Sequence, residues 1–427
     1  MEQKIEVKKS GSIYHFQGSQ NILELENEFD LQRKEIEQFI KREIFSKNRN
    51  LNIFIGSGCS IPAVPLMGTT MKKILNDIEH IAIKEEFIIF LKITDDHKRI
   101  FDKHLDSDLS VKEWQIAKLY DNFCNIEGFL TYLQQKINVE RDEDNINRLE
   151  VIFNSAKKLF VTSIPKYSDE KYKGEVADLY VNFYKKIFEK RQYESSKLNI
   201  FTTNYDLFNE IALEHNNINY STGFTNNLTS KFNVNQFNYR LVDERNRYKD
   251  KWQPTTKEAN LYKLHGSINW IEKENEIVQT DEVNDNVIIY PTILKHKETA
   301  QTPYSELFRE LSIQLQKPNS TLVTFGYSFG DEHINRVIID MLTIPSTHIV
   351  IIAYGDPLGR IMRFVNESGR KAQISLLLGD HFGDIKNLVD FYLPKAAIDR
   401  SSIRMAELLK SRGLYRTTIS NNSEDAE

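Results

Sequence analysis

Leu51-Asn52-Ile53-Phe54-Ile55 runs directly into Gly56-Ser57-Gly58-Cys59-Ser60. The first five residues are mostly apolar and read as a buried strand. The next five are small. Gly56 and Gly58 lack the Cβ that would keep a bound group off the main chain, and Ser57 and Ser60 add hydroxyls. A helix-forming stretch follows at Met71-Lys72-Lys73-Ile74-Leu75. Strand, small-residue loop and helix, in that order, are how an α/β sheet receives a pyrophosphate. The loop lacks the full G-x-G-x-x-G spacing, so alone it marks only a glycine-rich turn after a strand.

Three later stretches repeat the arrangement of an apolar run ending in small or polar residues. They are Phe201-Thr202-Thr203-Asn204-Tyr205-Asp206, Lys263-Leu264-His265-Gly266-Ser267, and Phe325-Gly326-Tyr327-Ser328-Phe329-Gly330-Asp331. The strands expected before them are Leu198 to Thr203, Leu261 to Leu264 and Thr321 to Phe325. Further strands are expected at Val287 to Tyr290, His348 to Ala353 and Ile374 to Leu378. Strands alternating with helical patterns predict a parallel sheet, so the fold class is α/β with a Rossmann-like parallel sheet.

The helices follow from apolar spacing. Phe29, Ile36, Phe39, Ile40 and Ile44 put one buried face on a helix from Glu28 to Ser46. Residues from about 69 to 196 carry almost no Pro or Gly, which predicts a helical insertion too long for a simple crossover. Its helices are expected at Met71 to Glu85, Lys112 to Phe123, Ile126 to Lys136, Ile146 to Phe160 and Val176 to Arg191. Tyr304 to Leu315 is amphipathic, and Asp331 is placed to cap a helix running through Met341. The chain thus divides into residues 1–50, an N-terminal segment whose helix leads into the first strand; 51–395, the α/β domain with its insertion; and 396–427, a short helix at Ser402 to Ser411 and a polar tail.

With 427 residues, 40% of them hydrophobic, the chain can fill a large core. A net charge of -5 argues against nonspecific nucleic-acid binding by the whole chain. The two cysteines, Cys59 and Cys124, allow no disulfide framework and no Cys-x-x-Cys zinc pair. No signal peptide or membrane-length apolar run is present, so a cytoplasmic location is expected.

In an open parallel sheet, ligands sit beyond the carboxyl ends of the strands, and all four motifs fall there. A ligand that develops charge as it reacts needs polar groups around the reacting centre. Asn204 can orient water or hold a sugar hydroxyl, His265 can accept a proton, and Asp206 can hold an amide or a cationic ring. Read from residue type alone, other roles stand beside these. Asn204 can simply cap a turn, His265 can be a satisfied core histidine, Gly326 to Gly330 a strand-to-helix turn, Cys59 a packing residue, and Asp331 a helix cap.

Together, in chain order, the motifs resemble the sirtuin (silent information regulator 2) family, most closely the sirtuin-like domains of bacterial anti-phage defence systems. The resemblance maps the family's Gly-Ala-Gly-hydrophobic-Ser loop onto Gly56, Ser57, Gly58, Cys59 and Ser60. It maps Gln-Asn-Ile-Asp onto Thr203-Asn204-Tyr205-Asp206, without the Gln; the catalytic His-Gly onto His265-Gly266; and Gly-Thr-Ser onto Gly326-Tyr327-Ser328. A weaker match is Gly379-Asp380, where sirtuins approach the adenine. The resemblance implies Asn204 and His265 as catalytic residues, and Gly56, Ser57, Gly58, Ser60, Asp206, Gly326 and Ser328 as contacts to NAD+, a substrate, with no metal.

The departures shape the expected activity. The stretch from Asn216 to Asn260 occupies the place of the sirtuin zinc ribbon but holds no Cys and no His. The Asn204–His265 spacing is also longer than in deacylase sirtuins. What the resemblance then implies is an NAD+ glycohydrolase, releasing nicotinamide and ADP-ribose and depleting NAD+ during phage infection. Its control is expected from homo-oligomeric assembly or from a partner such as a HerA-like ATPase. Two rivals remain: an NAD-dependent protein deacylase or ADP-ribosyltransferase, and a non-catalytic nucleotide-binding sensor.

Overall fold

Leu51 to Ile55 is buried throughout and hydrogen-bonded to a parallel strand on either side, so the opening motif is the centre of the sheet. We describe this protein from a computed structural model covering residues 14–17, 20–21, 29–45, 50–94, 126–189, 191, 196–248, 251–274, 276–280 and 302–393. Among the described residues, seven parallel strands form the body of the sheet: β1 (Asn50–Ile55), β2 (Leu198–Thr202), β3 (Asn219–Ser221), β4 (Glu258–Lys263), β5 (Ser320–Phe325), β6 (His348–Ala353) and β7 (Ile374–Leu378). Their spatial order is β7-β6-β5-β1-β2-β4-β3. From β1 the chain moves one way to β2 and later returns on the other side at β5. The order therefore reverses between β1 and β5, and the crevice beyond their carboxyl ends is where such sheets take ligands.

Side chains alternate across the strands, and both faces are covered, as a parallel sheet requires. Ile53, Ile55, Ile200, Leu261, Val323, Val350 and Leu377 belong to one core. Phe54, Phe201, Tyr262, Leu322, Ile351 and Leu376 belong to the other. The first core is closed by helix α1 (Phe29–Phe45) and by the insertion. Among the described residues, the helices of the insertion are α2 (Met67–Asn76), α3 (Ile81–Phe90), α4 (Ile126–Val139), α5 (Glu143–Thr162) and α6 (Glu175–Phe188). After α7 (Phe208–His215), the second core is closed by α8 (Tyr304–Leu315), α9 (Glu332–Met341) and α10 (Arg360–Ser368).

A polar ladder crosses the middle of the sheet. The Asn199 amide donates to Oδ1 of Asn52 at 3.0 Å and to Gln314 of α8 at 3.2 Å. The Asn260 amide reaches Oδ1 of Asn199 at 3.5 Å. Asn52 pairs in register with Asn199, and Asn199 with Asn260, so three neighbouring strands are tied at one level.

Several expectations change. The helix expected from Met71 to Glu85 breaks at Asp77, whose carboxylate accepts the Glu79 N–H at 3.0 Å and starts a new turn. α3 is then anchored by buried Glu86, which pairs with Lys136 of α4 at 2.8 Å and Arg148 of α5 at 3.2 Å. Ahead of α1, Tyr14–Gln17 pairs antiparallel with β7, and Gln20–Asn21 pairs antiparallel with Tyr14–Gln17 in turn at the edge of the sheet. The Asn-rich stretch 216–260, polar and with few helix signals, supplies β3, strand Ser230–Lys231 and the hairpin Val242–Tyr248/Lys251–Pro254. Aromatic packing holds it. Phe237 stacks on Tyr262 of β4 at 4.2 Å and Phe224 meets Trp270 at 5.0 Å. The expected elements at Lys112–Phe123, Val287–Tyr290 and Ser402–Ser411 lie outside the described residues.

Candidate active site

Gly56 donates its N–H to the carbonyl of Phe325 at 2.8 Å, and Gly58 donates to Gly326 at 3.1 Å. The first and third motifs, distant in sequence, thus form one junction at the reversal point of the sheet. Ser57–Ser60 folds as a single tight turn. Gly326 turns back with φ +63°, and a Cβ there would stand 2.7 Å from the Cys59 nitrogen. Only glycine combines that backbone with that approach. Cys59 is buried, its thiol donating to the Phe325 carbonyl at 3.3 Å, and burial pushes its pKa up. It packs; it is not poised as a nucleophile.

A cavity of about 1110 Å³ opens on this junction. Ser57, Gly58, Gly326 and Ser328 line it, together with residues that follow β6 (Tyr354 to Pro357) and β7 (His381, Gly383 to Asn387). Its size suits an extended ligand such as a dinucleotide, and its wall of glycines leaves main chain exposed to it.

Asn204 stands behind that wall. Its backbone N–H bonds Thr202 Oγ1 at 3.0 Å, which ends β2 and turns the side chain inward. Its amide nitrogen donates to the Gly56 carbonyl at 3.3 Å and to Ser60 Oγ at 3.2 Å. That orientation leaves Oδ1 buried without a hydrogen-bond partner among the described residues, an acceptor able to take a donor. Ser60 donates to Asp206 Oδ2 at 2.9 Å and also meets the Tyr180 hydroxyl at 3.0 Å. Asp206 Oδ1 accepts the Phe208 N–H at 3.2 Å. Burial raises the Asp206 pKa, opposed mainly by the charge of Lys263. Lys263 is fully buried at the end of β4, bonding Glu210 at 2.8 Å and the Asp206 carbonyl at 2.5 Å, and so ties the β2 turn to the β4 end. Burial raises the Glu210 pKa as well, against the same lysine.

His265 follows two residues later, in a turn closed by the Gly266 N–H to the Lys263 carbonyl. Its Nε2 meets Asp331 Oδ2 at 3.0 Å and its Nδ1 meets Glu127 Oε1 at 3.2 Å. Burial disfavours the charged ring, but Glu127 and Asp331 outweigh it and carry the pKa up to about 10. Burial would also raise Asp331, but the hydrogen bond and charge of His265 hold it below the ordinary range.

The structure therefore brings Gly56, Ser57, Gly58, Gly326 and Ser328 together at the crevice, with Asn204, Ser60 and Asp206 bonded behind them. His265 sits beside Asp331 at the far end of the Gly326–Asp331 loop, and neither it nor Asn204 lines the cavity. Both oxygens of Asp206 are taken by protein donors. Asp331 is a helix cap, as its position suggests, and a histidine partner too. Glu127, Tyr180 and the loops after β6 carry no local motif that marks them.

Residues 198–372 match the family model of the SIR2-like domain. The match supports a sirtuin-like domain, and SIR2-like domains are typically NAD-dependent enzymes, which implies use of NAD+. It contains Asn204, His265, Gly326 and Ser328 and begins after the Gly56–Ser60 loop, which the fold hydrogen-bonds into it. No curated protein matches the chain. Among the described residues, no three His, Cys, Asp or Glu are grouped to hold a metal ion, and no helix is long and apolar enough to cross a membrane.

Proposed function

We propose that this protein hydrolyses NAD+ to nicotinamide and ADP-ribose, and that the activity serves anti-phage defence by depleting NAD+. The observation that carries the reading is the orphaned Oδ1 of Asn204, buried behind a glycine junction at the reversal point of a sirtuin-like sheet. A buried acceptor fixed by its own amide is suited to a ribose hydroxyl or to the attacking water. Ser57, Gly58, Gly326 and Ser328 are suited to the pyrophosphate. In the reaction the ribose–nicotinamide bond breaks with its electron pair leaving on nicotinamide, water adds to the ribose carbon, and the surplus proton passes to a base. His265 is the candidate base.

The segment in the place of the zinc ribbon, held by aromatic packing, favours hydrolysis over deacylation, because the family's peptide cleft is built partly by that ribbon. Control by assembly is part of the reading. Ile78, Ile81, Ile89, Val139 and Val151 of the insertion are exposed, and apolar surface of this kind suits contact with another subunit or a HerA-like partner.

The test is incubation of the purified chain with NAD+ and no acyl-lysine peptide, alone and with a HerA-type ATPase, with product analysis. Release of free nicotinamide and ADP-ribose is expected. Turnover only with an acylated peptide would favour the deacylase instead, and intact nucleotide after binding would favour a sensor.

A further inference from the structure

His265 is gripped from two sides by carboxylates that are fixed very differently. Asp331 is anchored: its Oδ1 accepts the N–H groups of His333 at 2.9 Å and Ile334 at 3.2 Å while Oδ2 faces the ring. Glu127 belongs to the first turn of α4, inside the insertion, and α4 packs on α3 and α5. Its Oε1 holds Nδ1 at 3.2 Å and the Tyr205 hydroxyl at 2.6 Å. Among the described residues, the charged and titratable groups bonded to the ring or to its partners include Glu127 from the insertion, Asp331 from the cap of α9 and Tyr205 through Glu127. Lys263, on its own strand, is occupied by Glu210 and the β2 turn.

An imidazole donating at both nitrogens is a cation with no lone pair left to accept a proton. With one carboxylate withdrawn, the charge holding the proton on the ring is halved, and the ring approaches the histidine–carboxylate dyad of general-base catalysis, oriented by the carboxylate that stays. We propose that Glu127 is a latch on His265: α4 in this position holds the ring unable to accept a proton, and displacement of α4 turns His265 and Asp331 into a base. Asp331 is then the permanent positioning residue and Glu127 the removable one. The elevated pKa of His265 is in keeping with the latched form. The consequence for turnover rests on the hydrolase reading; the protonation of His265 does not.

The experiment is a histidine-selective NMR titration of the full chain, with His265 assigned by its loss in His265→Gln, run beside NAD+ turnover at neutral pH without activator. Glu127→Gln keeps the shape and removes the charge. Glu127→Asp, a second variant, draws the carboxylate back by one methylene. The parent ring is expected to stay protonated beyond pH 9, below its value of about 10. In the variants the midpoint falls by about one pH unit or more, and basal turnover rises roughly tenfold or more. An unchanged midpoint in both variants overturns the latch. So does a lowered midpoint with parent and variants hydrolysing NAD+ at equal rates. A lowered midpoint with NAD+ intact in every sample leaves the latch standing and fails the hydrolase reading instead.

Discussion

A Cβ on Gly56 would stand 2.3 Å from the carbonyl oxygen of Gly326. The two loops at the centre of the sheet touch main chain to main chain, with no room for a side chain. Gly56→Ala should force them apart and lower stability by about 1–3 kcal/mol, with loss of nucleotide binding. Gly355→Ala, which meets nothing within 4 Å, should stay within about 0.5 kcal/mol of the parent. Urea unfolding and calorimetric titration with NAD+ read both. Equal stability of the two variants would show that the junction is looser than described.

Asn204→Ala removes the orphaned acceptor together with its bonds to Gly56 and Ser60. NAD+ cleavage should drop by on the order of 10²–10³. His265→Ala should drop it by on the order of 10²–10⁴. Rates at the parent level, in variants whose thermal unfolding matches the parent, would remove these residues from the site.

Lys263 is the buried cation between Glu210 and the Asp206 turn. Lys263→Met leaves those carboxylates without it, and should destabilise by about 3–5 kcal/mol. Adding Glu210→Gln should recover part of that loss. A single variant as stable as the parent in urea would mean that the cation is dispensable.

Stability should also depend on His265. The folded ring keeps its proton to about pH 10, whereas the unfolded ring releases it near 6.5. Between those values the native state binds more protons, so stability falls as pH rises. The contribution is complete below pH 6.5 and lost through pH 10. Asp331, held below its ordinary range, acts at the other end, and its share is lost as the solution is acidified through its folded pKa. Denaturation midpoints across this range should slope less in Glu127→Gln than in the parent, and parallel slopes would contradict the pairing.

Assembly is open to direct measurement. Sedimentation or mass photometry of the purified chain should find a species larger than the 50.0 kDa monomer. A monomer at every micromolar concentration would assign the exposed isoleucines of the insertion to some other purpose.

Much of this molecule is legible in its sequence, for physical reasons. Strands buried on both faces must be runs of Ile, Val, Leu and Phe, so β1, β5, β6 and β7 are visible, and the polar residues that stop them mark the ligand edge. Asp331 is readable as a cap because capping is local. Glu127 is not, because it meets His265 across 138 positions and through an insertion whose packing no short motif encodes. The stretch 216–260 hides its strands because a few aromatics, rather than a periodic apolar face, hold them. The break at Asp77 hides because one side-chain bond redirects a helix that propensity alone would continue.

The asparagine ladder gives the sheet a common zero. Asn52, Asn199 and Asn260 stand level across three strands, and Gly56, Asn204 and His265 lie four, five and five residues further along. At roughly 3.3 Å per residue, those intervals work as a ruler from amide to the carboxyl edge of the sheet. A slip of one residue in any of the three strands would break an amide contact deep in the sheet before it could misalign a loop at its rim. The accuracy of the rim is thus guarded at a distance, by side chains buried inside the fold.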